Sequence, residues 1–315
     1  MTVLVTGGGG MIGARIARHL LDQGEQVVSM DTATSQPRLD AYSDNPKLVR
    51  IGCDVREYDD ILDVMKGQAV THVIHMAALL VPLTEEEPAL GLSVNVGGTN
   101  NIFEAARHSG VTRVVYPTSM SVYGDQSEYG DDAVDETSLR SPYSLYGYAK
   151  LMNEEVAQAY TRNFDLDTRG LRIASVFGHG RVTGRSGAIS KIISYAAVGE
   201  PVTSALPEDQ ITPVVHVDDV AVSMVRLCFA ESLDLPVYVG GNVKASVHEV
   251  VETVKEYAPA AEIDFEPDAV PYTVIQNMDC SRIEQAIGYS LPPLRQRILE
   301  QMNEARRERQ MPPLG

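Results

Sequence analysis

The chain has no tryptophan, five phenylalanines and three cysteines in 315 residues. Each shortage narrows what it can be. Cys53, Cys228 and Cys280 are odd in number and far apart. They make neither a disulfide framework nor a metal-type cluster, and they suit a reducing compartment. The seven histidines are scattered, with no H-E-x-x-H spacing and no cysteine partners, which argues against a metal centre. No G-x-S-x-G elbow points to a hydrolase. Long apolar runs are missing as well: the strongest, "VIHMAALLVPL", is too short to span a membrane and carries His75. The start "MTVLVTGGGG" lacks the charged and apolar regions of a signal peptide. Positive charge is scarce, with Lys plus Arg at 26 against Asp plus Glu at 43, a net charge of −17. Such a surface repels nucleic acid and anionic membranes and favours solubility. The arginines of "LRQRILEQMNEARRERQ" therefore read as a solvated helix face. The expectation is a cytoplasmic chain whose partner is a small molecule.

What is present is alternation. Short apolar runs at Val3–Thr6, Gln26–Asp31, Leu48–Gly52, His72–Met76 and Arg113–Thr118 read as buried strands, with a sixth at Thr168–Ile173. Helical patterns lie between them, at Met11–Gln23, Asn100–Ser109 and Tyr146–Asn163. Parallel neighbours need crossover helices, so this order implies an α/β fold with a doubly wound, Rossmann-type parallel sheet over residues 1–173. Beyond it Gly and Pro punctuate the chain, and we expect a smaller α/β substrate lobe from residues 174–213 and 235–315. Residues 214–234 should return to the first lobe.

Straight after the first strand comes "TGGGGMIGARIA", with Gly7, Gly10 and Gly13 in a G-x-x-G-x-x-G spacing. Gly7 allows the tight turn, Gly10 lets the backbone approach a pyrophosphate, and Gly13 lets the helix pack close to the strand. Met11 and Ile12 open that helix, whose free N–H groups and positive dipole end suit phosphates. The second strand ends in Asp31, placed to accept hydrogen bonds from the adenosine ribose hydroxyls and to repel a 2′-phosphate. The expected cofactor is NAD rather than NADP.

The stretch "SPYSLYGYAKLMNEE" holds Tyr143, Tyr146 and Tyr148 ahead of Lys150. Only Tyr146 stands four residues before the lysine, on the same helix face. With the glycine turn, Asp31 and this pair in order, the chain resembles the extended short-chain dehydrogenase/reductase family, its NAD-dependent epimerase/dehydratase group. Further segments carry the resemblance: "CDV", "HMAAL", "NVGGTNN", "PTSMSVYG", "LRIASVFGHG" and "VVHVDDVA". It implies cofactor contacts from Asp54, Val55, Ala77, Ala78 and Asn95, and a catalytic set of Ser119, Tyr146 and Lys150. Lys150 would also hold the nicotinamide ribose, and a homodimer would form through helices near 88–109 and 146–163. A free tyrosine ionises near pH ~10, so a base near neutrality needs about 4 kcal/mol of help. Lys150 and the positive nicotinamide ring are the expected sources. Tyr143 and Tyr148 are expected to pack or touch a substrate loop.

The departures from the family pattern concern the substrate. Dehydratases of the group carry an acidic pair where Met120 and Ser121 stand. Members acting on nucleotide sugars typically place an asparagine at the position of Ser175 and an arginine at that of Thr212. Leu79, Leu80 and Leu83 would wall the substrate mouth, with Arg181 and Arg185 able to receive a carboxylate or phosphate. The reading is an NAD-dependent oxidoreductase acting on a secondary alcohol of a small hydroxylated substrate, with a nucleotide-sugar 4-epimerase that retains its NAD as the alternative.

Overall fold

The computed structural model describes residues 1–315 except 182, 183, 185, 186 and 273. Seven strands form one parallel sheet: β1 (Thr2–Thr6), β2 (Gln26–Asp31), β3 (Leu48–Gly52), β4 (His72–His75), β5 (Arg113–Ser119), β6 (Asp167–Ile173) and β10 (Val237–Val239). Their order is β10-β6-β5-β4-β1-β2-β3, which reverses direction at β1, the doubly wound arrangement.

The period-2 alternation of side chains sends successive residues of each strand to opposite faces. Val3, Val5, Val27, Ile74 and Val115 pack on one side, against α1 (Met11–Asp22) and α8 (Val217–Phe229). Leu4, Val28, Met30, Val73 and Val114 pack on the other. There they meet α2 (Tyr58–Gly67), α5 (Thr99–Ser109) and α6 (Leu145–Phe164). Between β4 and α5 lie two short helices, α3 (Leu83–Glu86) and α4 (Pro88–Leu92), and a π-helical turn at Ser93–Gly98.

The second lobe is built on β7 (Ser175–Phe177), β8 (Val202–Ser204), β9 (Ile211–His216), β11 (Val243–Ser246) and β12 (Ile263–Phe265). It has a three-stranded sheet, β11-β9-β7, and a two-stranded one, β12-β8. α7 (Gly187–Ala197), α9 (Val247–Tyr257) and α11 (Leu294–Glu308) bury Ile192, Ile193, Val250, Val254, Ile298 and Met302 together. Beyond residue 234, two elements pack with the first lobe. β10 pairs with β6 in the large sheet, and α10 (Ser281–Ile287) contributes Ile283 and Ile287 to the core around α8. Three residues are too few to show strand periodicity, and β6 would otherwise be left as an unpaired edge. Among the described residues, no helix is long and apolar enough to cross a membrane.

One buried ion pair ties the sheet to α6. Glu154 and Arg172 have side-chain exposures of 0% and 3% and meet through two hydrogen bonds, Nε to Oε1 at 3.0 Å and Nη2 to Oε2 at 2.8 Å. Thr118 Oγ1 donates to Glu154 Oε1 at 2.6 Å, and Arg172 Nη1 donates to Tyr123 Oη at 2.6 Å. Removing one partner of such a pair strands a buried charge. Arg172→Met should cost about 3–5 kcal/mol, measured by urea denaturation, and Glu154→Leu added to it should recover part of the loss.

Candidate functional site

The glycine turn closes on itself before α1 begins. Gly7 has φ +61°, and a Cβ at Gly13 would lie 2.1 Å from the Gly7 carbonyl oxygen, so the helix enters this close only on glycine. Gly10 caps α1 with no side-chain hydrogen bond, which leaves the first N–H groups free to receive an anion. Asp31 Oδ2 accepts from the Gly9 N–H at 3.0 Å, and its Oδ1 accepts from Thr32 N at 2.8 Å. Arg38, seven residues on, donates to the Gly9 carbonyl at 3.4 Å and lines the cavity beside this turn.

Behind the turn a buried polar chain fixes the end of β4. Thr6 Oγ1 accepts from Met76 N at 3.0 Å and Ala77 N at 3.1 Å, so its own proton goes to His75 Nδ1 at 2.7 Å. His75 is then neutral with its proton on Nε2, which donates to Thr99 Oγ1 at 3.0 Å, and Thr99 donates to the Asn95 carbonyl at 2.7 Å. Burial, with Lys150 nearby, pushes the His75 pKa down to about 3. This histidine is a strut.

A cavity of about 740 Å³ opens from the glycine turn to the second lobe. It is lined by Gly7, Gly10, Met11, Ile12, Gly13 and Ala78 at one end. Ser119, Met120, Ser121, Tyr146 and Lys150 lie along it, with Leu80, Ser175 and Arg181 at the far side. Other expected residues stand outside that lining. Asn95 is buried and clamps the Leu79 backbone, accepting from Leu79 N at 2.7 Å and donating to Leu79 O at 2.9 Å. Asp54 pairs with Arg56 at 2.6 Å, Val55 packs against Gly98, and Ala77 backs the turn. Arg185 lies outside the described residues. Tyr143 lines the mouth, whereas Tyr148 is 58% exposed on the outer face of α6.

α6 starts where Ser144 Oγ accepts from Gly147 N at 3.1 Å, and Glu85 of α3 accepts from Tyr146 N at 3.3 Å. A Cβ at Gly147 would lie 2.4 Å from the Ser121 carbonyl oxygen, so the glycine lets the helix reach the segment after β5. That approach brings Tyr146 and Ser119 into one site, where Ser119 pulls the phenol's pKa down. Lys150 is 3% exposed and donates to the Pro117 carbonyl at 3.0 Å. Its Nζ stands 5.6 Å from the centroid of the Tyr146 ring, over the face rather than at the hydroxyl.

The expected lowering of Tyr146 by Lys150 is not what this geometry gives. Burial raises the phenol above its ordinary value, while Ser119 and the charge of Arg181 pull the other way. Lys150, itself brought down to about 8 by burial, addresses the ring face and the Pro117 carbonyl instead. Arg181 is lowered by its own burial, and its Nε is buried without a hydrogen-bond partner among the described residues. Ser175 and Thr212, 8% and 1% exposed, hydrogen-bond each other at 3.0 Å. His179 and His216, both unassigned by the sequence, bind Ser194 and the start of α8 respectively.

The free N–H groups that follow Gly10, the cleft that only glycine permits at Gly13, and Asp31 at the end of β2 fit a nicotinamide dinucleotide. The NAD-dependent epimerase/dehydratase family model matches residues 3–235. A putative UDP-glucose 4-epimerase of Methanocaldococcus jannaschii is 29% identical over 85% of this chain and 84% of its own. The UDP-glucose 4-epimerase of Thermus thermophilus, solved with NAD, is 26% identical, with a TM-score of 0.85 over 97% of this chain and 99% of that one. An L-threonine dehydrogenase from Cupriavidus necator shares the fold at 22% identity, with a TM-score of 0.87 over 96% of this chain and 99% of that one. The glycine turn, the acidic end of β2 and the tyrosine–lysine helix thus meet in a chain that belongs to the NAD-dependent epimerase/dehydratase family.

Proposed function

We propose that the chain is an NAD-dependent dehydrogenase that oxidises a secondary alcohol on a small hydroxylated molecule. The observation that carries this reading is the Ser175–Thr212 pair. Two buried hydroxyls satisfy each other at 3.0 Å where nucleotide-sugar members of the resembling family place an asparagine and an arginine. A diphosphate requires charge-assisted donors, and this position offers none. Leu80, Val81 and Met120 add apolar wall to the same cavity. The fold itself does not discriminate, since it is shared with an epimerase and a dehydrogenase at similar TM-scores.

When bound, NAD would supply the acceptor for the hydride that leaves the carbinol carbon, and the positive charge of its oxidised ring. The glycine turn would hold its diphosphate, Asp31 its adenosine ribose and Lys150 its nicotinamide ribose. Ser119 hydrogen-bonds the substrate oxygen. Tyr146, as phenolate, takes the hydroxyl proton while the carbonyl forms. Burial opposes that phenolate, so the cations around it decide how much is present at neutrality. Leu92, Tyr148 and Met152 are exposed on α4 and α6, which favours the four-helix homodimer that the family resemblance implies. All three thiols are free, as suits a reducing cytoplasm.

A second reading, the nucleotide-sugar 4-epimerase with retained NAD, draws on the similarity to the Methanocaldococcus and Thermus proteins. The deciding assay follows NADH by absorbance over a panel of hydroxy acids, sugars and lactones, beside UDP-glucose. NADH should accumulate with a small alcohol. Interconversion of glucose and galactose forms without net NADH would replace the dehydrogenase by the epimerase.

Tyr146→Phe should lower turnover by about 10²–10⁴-fold with NAD affinity nearly unchanged, because the ring stays and only the proton carrier goes. NAD should bind more tightly than NADP, and Asp31→Ser should narrow that gap in cofactor titrations. Lys150 gives a stability signature. Its folded pKa of about 8 lies below the ordinary 10.5, so across that window the unfolded chain holds a proton that the folded one has released. Stability then rises with pH across the window. Relative to Lys150→Met, the cofactor-free wild type should gain up to about 3 kcal/mol over it, read from urea midpoints at matched pH.

A further inference from the structure

We infer that Arg181 is the receptor for a carboxylate on the substrate, placed a few atoms from the hydroxyl that is oxidised, so that the substrate class is a short-chain hydroxy acid. The inference rests on the dehydrogenase reading and adds the chemical group that orients the substrate. Arg181 lines the same cavity as Tyr146, and its charge is felt at the Tyr146 phenol. Among the described residues its side chain makes no ion pair, and its Nε is buried with no hydrogen-bond partner. That is unusual here. The partly buried arginines 15, 113, 172 and 297 each meet a carboxylate at 2.5 to 2.8 Å. A guanidinium held in a cavity without a counter-ion is costly unless a ligand supplies one.

The surroundings select among anions. A single guanidinium offers a planar fork that matches one carboxylate. A phosphate dianion calls for a second cation, and the other two cations that line the cavity among the described residues are engaged elsewhere. Lys150 donates to Pro117, and Arg38 donates to Gly9 beside the glycine turn. Leu80, Val81 and Met120 add apolar wall, Glu85 is a carboxylate in the same lining that disfavours a second negative charge, and Ser175 and Thr212 are turned to each other.

The test uses the NAD-loaded protein and two readouts. Calorimetry compares oxalate and malonate with the neutral malonamide, and the NADH assay compares 2- and 3-hydroxy acids with their amides. We expect saturable binding of the dicarboxylates, with the diamide at least tenfold weaker. Arg181→Gln should weaken dicarboxylate binding by ten- to a hundredfold and erase the preference for acid over amide, while NAD affinity is kept. Arg181→Lys, which keeps the charge without the fork, should fall between. Kept NAD affinity in both variants separates a lost contact from a lost fold. Equal binding of malonate and malonamide, no saturable dicarboxylate binding, or an Arg181→Gln protein that binds like the wild type would overturn the inference. NADH release from neutral alcohols alone would also overturn it and leave the dehydrogenase standing. Conversely, hexose interconversion on UDP-sugars without NADH would remove the dehydrogenase reading, whatever malonate does.

Discussion

The arrangement of the site depends on a salt bridge whose two residues do not themselves line the cavity. Glu154 stands one turn beyond Lys150 and two beyond Tyr146 on the inward face of α6. Its partner Arg172 sits on β6, directly across from Thr118 in the sheet register, and Thr118 immediately precedes Ser119. Glu154 accepts from both of them. Three elements that come together only in the folded chain are thereby fixed in rotation and height, and the serine, tyrosine and lysine take their mutual positions from that. A bidentate pair suits this purpose better than apolar contact, because it tolerates only one register of helix against sheet. Arg172 also reaches the Glu136 carbonyl, and Glu136 accepts from Val239 N, so the loop after β5 and the edge strand β10 join the same lattice of bonds.

On the cofactor side uncharged groups do the equivalent job. The run from Thr6 through His75 and Thr99 to Asn95 assigns every proton without ambiguity, and Asn153 of α6 closes it by donating to the Asn95 carbonyl at 2.8 Å. Buried polar chains of this kind are stable only when complete. The run ends on the main-chain carbonyl of Asn95, while the side-chain amide of the same residue separately clamps the Leu79 backbone.

Sequence reading is strongest where the information is local. Helices α1, α5 and α6 and the first six strands follow from periodicity, and the glycine turn, Asp31 and the Tyr146/Lys150 pair follow from spacing along single elements. What spacing cannot supply is the direction of a side chain toward an element far away in sequence. The motif placed Lys150 beside Tyr146 without showing that its amine turns to Pro117, and nothing in it revealed that the charge of Arg181 bears on the same tyrosine. Gly147 sits within the very stretch that carries the pair, yet its reason is the Ser121 carbonyl, 26 positions earlier. β10 was missed for a different reason: it is three residues long, and it is a strand only because β6 offers an open edge.

The passage from β6 to β7 spans a single residue, Ala174, and carries the chain from the seven-stranded sheet into the three-stranded one. The polypeptide has no slack at that point. One end of the link is hydrogen-bonded to β5 through Ile173, the other to β9 through Ser175, so the lobes share a seam rather than a flexible tether. Melting of the small lobe would pull directly on the strand that carries Arg172, and a single cooperative unfolding transition is the natural consequence. The same seam limits how the cleft opens to admit a ligand. Wide rotation would tear two ladders, so entry falls to the surface segments around the mouth, where Leu80, Tyr143 and Gly184 stand.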